Sequence, residues 1–298
     1  MLFERQRLLL TLLNALGGTV AHTDFQKLLM LYTLEYETEP SYDFVPYRFG
    51  GFSYSSYADK RRLIEHGLLE EDEHHWVLSE RGKQIVQLER NLAPKTALFA
   101  QNYAGQRGDA LIAKVYRRYP YYATRSEIVD RVLSDAETRA LVVAARPPQQ
   151  EPGLLTIGYE GKSLERYLNQ LLKASVSLLC DVRRNPLSRK YGFSKGTLSN
   201  ACEGVGIRYE HLPELGIASE QRRGLDTQAD FDALFADYNR ESLPLQGTAL
   251  AKICRWIEHD GYRVALTCFE EQPCQCHRHC VADALKNLRG AWLSPTHL

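Results

Sequence analysis

No apolar run in this 298-residue chain approaches the roughly 20 residues that a membrane-spanning helix needs. Neither sign of charge prevails: 37 Lys and Arg stand against 37 Asp and Glu, so any nucleic-acid partner must be met by a local patch and not by bulk charge. The glycine-rich dinucleotide fingerprint GxGxxG is missing, which favours hydrolysis over redox chemistry as a class. The first residues, MLFERQRLLLTLLNAL, have the apolar weight of a signal peptide. However, Glu4, Arg5 and Arg7 interrupt them at helical spacing and no small-residue cleavage site follows, so an amphipathic first helix is expected. A disulfide framework is also lacking. The seven cysteines are an odd number, and Cys254, Cys268, Cys274, Cys276 and Cys280 crowd into the last 45 residues, a pattern expected of reduced thiols in a soluble cytoplasmic protein.

What is present is ordinary globular material, 44% hydrophobic and 25% charged, enough for two cores. The break Arg146-Pro147-Pro148-Gln149-Gln150-Glu151-Pro152-Gly153 cannot continue a helix. It predicts an α-rich domain over 1–145 and a second domain over 154–298. In the first, Leu8, Leu9, Leu12, Leu13 and Leu16 mark one helix face closed by Gly17-Gly18, and Thr23 is placed to cap a second helix through Tyr32. An aromatic loop, Tyr42 to Phe52, leads to a third helix beginning at Ser53. Two short strands follow at 68–71 and 76–78, and Ser79 opens a helix through SERGKQIVQLERNL. Three helices and then a hairpin is the order of a winged helix, in which the third helix enters the DNA major groove. Lys60, Arg61 and Arg62 lie on that helix and are the expected DNA contacts.

The stretches DFQKLLMLYTLEYE and YDFVPYRFGGFSYSSYADKRRLIEHGLLEE resemble the winged-helix proteins of the Panacea and SocA-like antitoxin group, with Gly51 where those proteins usually carry proline. The resemblance spans about residues 1–145 and implies DNA binding or a protein partner.

Beyond the break, strands and helices alternate, which predicts an α/β domain with a mainly parallel sheet covered by helices. Strands are expected at 154–158, 176–182, 206–211 and 262–268. Helices are expected at 162–172, from Ser194, near 228–240 and 246–259, and at 276–288. In such sheets ligands bind beyond the C-terminal strand ends. Those ends carry Tyr159-Glu160, Asp181-Val182-Arg183, His211 and Cys268-Phe269-Glu270, so four strands deliver polar or reactive groups to one rim. TIGYEGKSLERYL, DVRRNPLSRKYGFSKGTL, GIRYEHLPELG and LTCFEEQPCQCHRHCVADAL resemble the DUF488 family in order over residues 154–286. That resemblance implies a compact α/β domain of the family type and no particular chemistry.

The residues themselves suggest roles. Asp181 and Arg183 flank one valine and point to the same side of an extended strand, either as a structural ion pair or as a carboxylate base beside anion-binding arginines. Arg183, Arg184, Arg189, Lys195 and Arg278 are candidate phosphate ligands with Tyr159 among the binding residues, and Tyr191 and Phe193 interleave with the charges as stacking partners. Arg222 and Arg223 lie in a loop placed to close over an anion. His211 and Glu270 are candidates for proton transfer. Cys276, ahead of the last helix with His277 and Arg278, reads either as an activated thiol or as a structural residue. The tail also offers Cys268, Cys274, Cys276, His277, His279 and Cys280 to tetrahedral zinc, but Cys-x-Cys-x-x-x-Cys is no standard knuckle, so no metal or other cofactor is required. Taken together, the expectation is a hydrolase acting on a nucleotide or nucleic acid, at a phosphodiester or N-glycosidic bond, targeted by the first domain. The alternative is a non-catalytic DNA-binding regulator that senses a small anion or metal.

Overall fold

In the computed structural model the proline-rich break separates two units, Met1–Arg146 and Pro147–Leu298. The structure describes residues 2–222 and 224–298. In the first unit, helix α1 (Glu4–Ala15) buries Leu8, Leu9, Leu12 and Leu13. Positive φ at Gly17 and Gly18 then turns the chain into strand β1 (Thr19–Ala21). Helix α2 (His22–Tyr36) starts one residue earlier than its expected cap, so Ala21 is the N-cap and Thr23 lies inside the first turn. The aromatic loop contains a hairpin, β2 (Val45–Tyr47) and β3 (Gly50–Phe52), that three-residue strands with a proline do not announce. Helix α3 (Tyr54–Glu65) is capped by Ser53, whose hydroxyl accepts from the Ser56 N–H. Strands β4 (Leu69–Glu70) and β5 (His75–Leu78) form a second hairpin. Strand β1 pairs with the outer side of β5, giving the antiparallel order β1-β5-β4.

Helix α4 (Glu80–Val86), capped by Ser79, stops short of the expected end at Leu92. Four further helices, α5 (Ala93–Asn102), α6 (Gly108–Arg118), α7 (Val129–Val132) and α8 (Ala136–Ala144), complete the unit. Phe25 packs on Trp76 at 4.4 Å between ring centroids. One expectation is corrected here: Lys60 is buried, 6% exposed, with Nζ donating to the His75 carbonyl at 3.2 Å and 3.0 Å from His22 Nε2. Its position on α3 faces the β5 side, so of the three expected DNA contacts only Arg61 and Arg62 are exposed.

The second unit is α/β. Its strands are β6 (Gly153–Gly158), β7 (Leu178–Asp181), β8 (Arg208–His211), β9 (Arg263–Cys268) and β10 (Thr296–His297). Every pairing in the order β10-β6-β9-β7-β8 is parallel. β6, β7 and β9 are buried almost end to end, as strands covered on both faces must be. Helices α9 (Leu164–Lys173), α10 (Lys195–Gly204), α11 (Gln228–Asp237), α12 (Gly247–Glu258) and α13 (Arg278–Arg289) supply the cover. The edge strand β10, only two residues long, is too short to show in the sequence pattern. α13 starts two residues later than expected, with His277 as its N-cap, and this leaves Cys276 outside the helix. No helix among the described residues is long and apolar enough to cross a membrane.

A lysine is trapped in the first unit. Lys27 is buried in α2, donates to the Gly51 carbonyl at 2.9 Å, and burial lowers its pKa to about 7 despite nearby Asp24. Between pH 7 and the ordinary lysine range, the unfolded chain therefore holds a proton that the folded unit has shed, and stability rises with pH across that window. In a Trp256→Phe, Trp292→Phe background, urea unfolding followed through Trp76 should show a slope approaching about 1.4 kcal/mol per pH unit above pH 7. Lys27→Met should flatten it; an unchanged slope would show that Lys27 is charged in the folded state.

Candidate functional site

Because all five strands run in one direction, β6, β7, β8 and β9 end at the same edge of the sheet. Gly158 makes the first close approach there. A Cβ on it would lie 1.9 Å from the Glu270 carbonyl oxygen, so only glycine lets the segment after β9 cross the tip of β6. Tyr159 then donates its backbone N–H to the carbonyls of Cys268 and Phe269, which ties the two tips together.

The centre of this edge is a buried ion pair. Asp181 is fully buried at the end of β7. Its Oδ1 accepts from the Arg183 backbone N–H at 3.1 Å and from Arg183 Nε at 2.8 Å; its Oδ2 accepts from Arg183 Nη2 at 2.5 Å and from the Tyr209 hydroxyl at 2.7 Å. Arg183 is also spent: Nη1 donates to the Tyr159 hydroxyl at 2.9 Å and to the Phe193 carbonyl at 2.8 Å. Burial works against the guanidinium charge, but the Asp181 bonds outweigh it and the Arg183 pKa is raised. A carboxylate with all four acceptor positions filled is poorly placed to take a proton from water, so of the two readings of Asp181 the geometry favours the structural ion pair over the base.

Other expected residues sort by what they touch. Phe193 is fully buried and stacks on Tyr159 at 4.3 Å, so it forms the floor beneath the site and is not a free stacking face. Arg278 is 1% exposed and donates through Nη1 to the Glu270 carbonyl and through Nη2 to the Glu271 carbonyl at 2.7 Å. It braces the loop after β9 and does not reach an external phosphate. His211 is half-buried with Nε2 at 2.8 Å from the Arg183 carbonyl and Nδ1 at 3.4 Å from Lys195 Nζ. A carbonyl only accepts, so Nε2 carries the proton and Nδ1 presents its lone pair to the lysine. Lys195 and Tyr191 are exposed.

Beyond the tips opens a cleft of about 360 Å³, lined among others by Tyr159, Arg183, Arg184, Arg189, Arg222 and Phe269. Arg222 forms an ion pair with Glu270. Arg223, expected beside it, lies outside the described residues. Arg184 donates weakly to the Pro213 carbonyl at 3.4 Å, and neither Arg184 nor Arg189 forms an ion pair among the described residues. Arg184 belongs to the basic loop that the sequence offers to phosphate together with Arg189 and Lys195. Its backbone is held where a Cβ on Gly216 would approach its nitrogen to 2.0 Å, a close approach between segments more than thirty residues apart.

Behind the cleft, Cys268, Cys276 and His277 are buried with one sulfur or nitrogen of each within 4.8 Å of the others. Burial and the neighbouring Cys268 push the Cys276 thiol well above its usual range. Desolvation of this kind works against an activated thiol and favours the structural reading of Cys276. Of the other soft ligands, Cys274 is exposed, and His279 lies 3.4 Å from Cys280 as a separate pair.

Removing one partner of the central pair leaves the other charge buried without compensation. Asp181→Ala should cost the second unit about 3–5 kcal/mol, read as a shifted denaturation midpoint. Asp181→Asn, which keeps two acceptor positions, should lose less. A melting curve unchanged by the alanine would show that the pair is not structural.

No curated protein and no solved structure matches the chain. Residues 163–285 match the family model described as domain of unknown function DUF488, so the resemblance of the second unit to that family is supported.

Proposed function

We propose that the second unit binds a phosphate-bearing nucleotide or nucleic-acid strand in the arginine-lined cleft and hydrolyses it at a phosphodiester or N-glycosidic bond. The first unit acts in this reading as a winged-helix module that brings DNA or a protein partner. The observation that carries the proposal is the surplus positive charge of the cleft. Asp181 answers Arg183 and Glu270 answers Arg222, while Arg184 and Arg189 have no ion-pair partner among the described residues and stand beside half-exposed Phe269. Planar guanidinium groups suit the bidentate geometry of phosphate oxygens, and an exposed ring beside them suits a base. At the rim, His211 offers Nδ1 as a proton acceptor once Lys195 moves aside. For the first unit, the sheet order β1-β5-β4 and the exposure of Arg61 and Arg62 on α3 support the winged-helix reading.

A second reading has its own support. Asp181, expected as a base, is saturated by internal bonds, and Arg278, expected as a phosphate ligand, is turned inward onto backbone carbonyls, which suits a regulator that binds an anion without turnover.

Labelled single-stranded DNA, RNA and nucleotides should bind with a salt-dependent affinity, and Arg184→Ala with Arg189→Ala should weaken binding about tenfold or more while lowering the salt slope. Unchanged affinity in the double variant would remove the cleft from the function. Mass spectrometry of the incubated ligands separates the two readings: a cleaved product supports hydrolysis, and tight binding without product supports the regulator. For the first unit, Arg61→Ala with Arg62→Ala should weaken duplex DNA binding about equally across sequences and reduce the salt slope by roughly one for each phosphate no longer neutralised. Duplex affinity that is indifferent to both changes would point to a protein partner in place of DNA.

A further inference from the structure

We propose that Cys268, Cys276, His277 and Glu270 form a closed tetrahedral zinc site beneath the cleft, with Arg222 as its charge-balancing outer partner. The donor set is one that zinc prefers, two thiolates, an imidazole and a carboxylate, and all four side chains are buried. Its spacing fits. Zinc–sulfur bonds of about 2.3 Å and zinc–nitrogen or zinc–oxygen bonds of about 2.0–2.1 Å at the tetrahedral angle put the donor atoms roughly 3.5 Å apart. Cys268 Sγ lies 3.7 Å from His277 Nδ1 and 3.6 Å from Glu270 Oε2. These are ordinary lengths for hydrogen bonds to a thiol, and they also hold the donor atoms near the separation a shared metal imposes, so the thiol protons can be exchanged for the ion with little movement.

The histidine is oriented as a metal ligand would be. His277 Nε2 lies 3.0 Å from the Val182 carbonyl and so carries the ring proton, which turns the Nδ1 lone pair toward the two sulfurs. Glu270 is divided in the same way: Oε1 pairs with Arg222 while Oε2 faces Cys268. On binding, the two thiols release their protons, and two thiolates, one carboxylate and Zn²⁺ leave one net negative charge, which Arg222 answers. Arg278, braced on the Glu270 and Glu271 carbonyls, fixes the loop that carries the carboxylate. The metal would therefore join the tip of β9, the start of α13 and, through Val182, the tip of β7. This reading does not rest on the phosphate proposal, because its measurements involve no nucleotide.

The full chain purified under reducing conditions from zinc-supplemented cells should hold about one zinc per chain by elemental analysis. Replacement by cobalt should produce a thiolate-to-cobalt charge-transfer band and the intense visible bands of four-coordinate Co²⁺. Cys268→Ser, Cys276→Ser and His277→Ala should each abolish the bands, whereas Cys274→Ser, at an exposed position outside the site, should leave them intact. Arg222→Ala should keep the metal but bind it about 10- to 100-fold more weakly. Should the ligand variants fail to fold, direct cobalt titration of the reduced wild-type chain remains decisive. Absence of stoichiometric uptake there would overturn the proposal.

Discussion

The strand tip Asp181-Val182-Arg183 organises everything at this edge of the molecule, and the reason is electrostatic. A carboxylate and a guanidinium two residues apart on extended backbone project to the same side, and burial obliges them to satisfy each other completely. Once they do so, the neighbouring groups have fixed places to dock. Tyr209 reaches the carboxylate and Tyr159 the guanidinium, while the carbonyls of Arg183 and Val182 accept from His211 and His277. Three consecutive residues thus set the positions of four side chains drawn from three other segments. The pair gives up its own reactivity in doing this, since a saturated carboxylate neither accepts a proton readily nor binds a ligand.

Charge at the edge is accordingly layered. The inner layer, Asp181 with Arg183 and Glu270 with Arg222, is matched; the outer layer, Arg184 and Arg189, has no match among the described residues. Matched charges hold geometry and unmatched ones remain open to an anion, so in the proposed reading the part of the cleft that would meet a ligand is separated from the part that keeps its shape. The thiol and imidazole cluster lies behind the matched layer, reached through Glu270.

Much of this is legible in the sequence. Apolar runs ending in Gly158, Asp181 and Cys268 locate three strands and, through their shared direction, the edge where Tyr159, Asp181, Arg183, His211 and Glu270 meet. Roles are less legible than places. Nothing in the spacing of Arg278 reveals that it folds back onto two carbonyls, and an aromatic at 193 reads alike whether it faces solvent or packs under Tyr159. Lys60 misleads for a related reason: in a Lys-Arg-Arg run on a helix only the angular position decides which cation turns inward, and that depends on where β5 packs. Strand β10 and the hairpin β2–β3 escape a sequence reading because two or three residues carry no period. The grouping of Cys268 with Cys276 and His277 while Cys274 stays outside depends on the turn at 273–275, which places Cys276 before α13 begins.

The stack of Tyr159 on Phe193, with the Arg183 guanidinium 5.1 Å from the Tyr159 ring centroid, has a thermodynamic corollary. A surface already immobilised in this way surrenders almost no rotamer freedom when something settles on it, whereas the exposed Arg184 and Arg189 have freedom to lose. Affinity differences among occupants of the cleft would then arise chiefly from how completely each one orders those two long side chains, and would register as opposing changes in enthalpy and entropy above an invariant aromatic base.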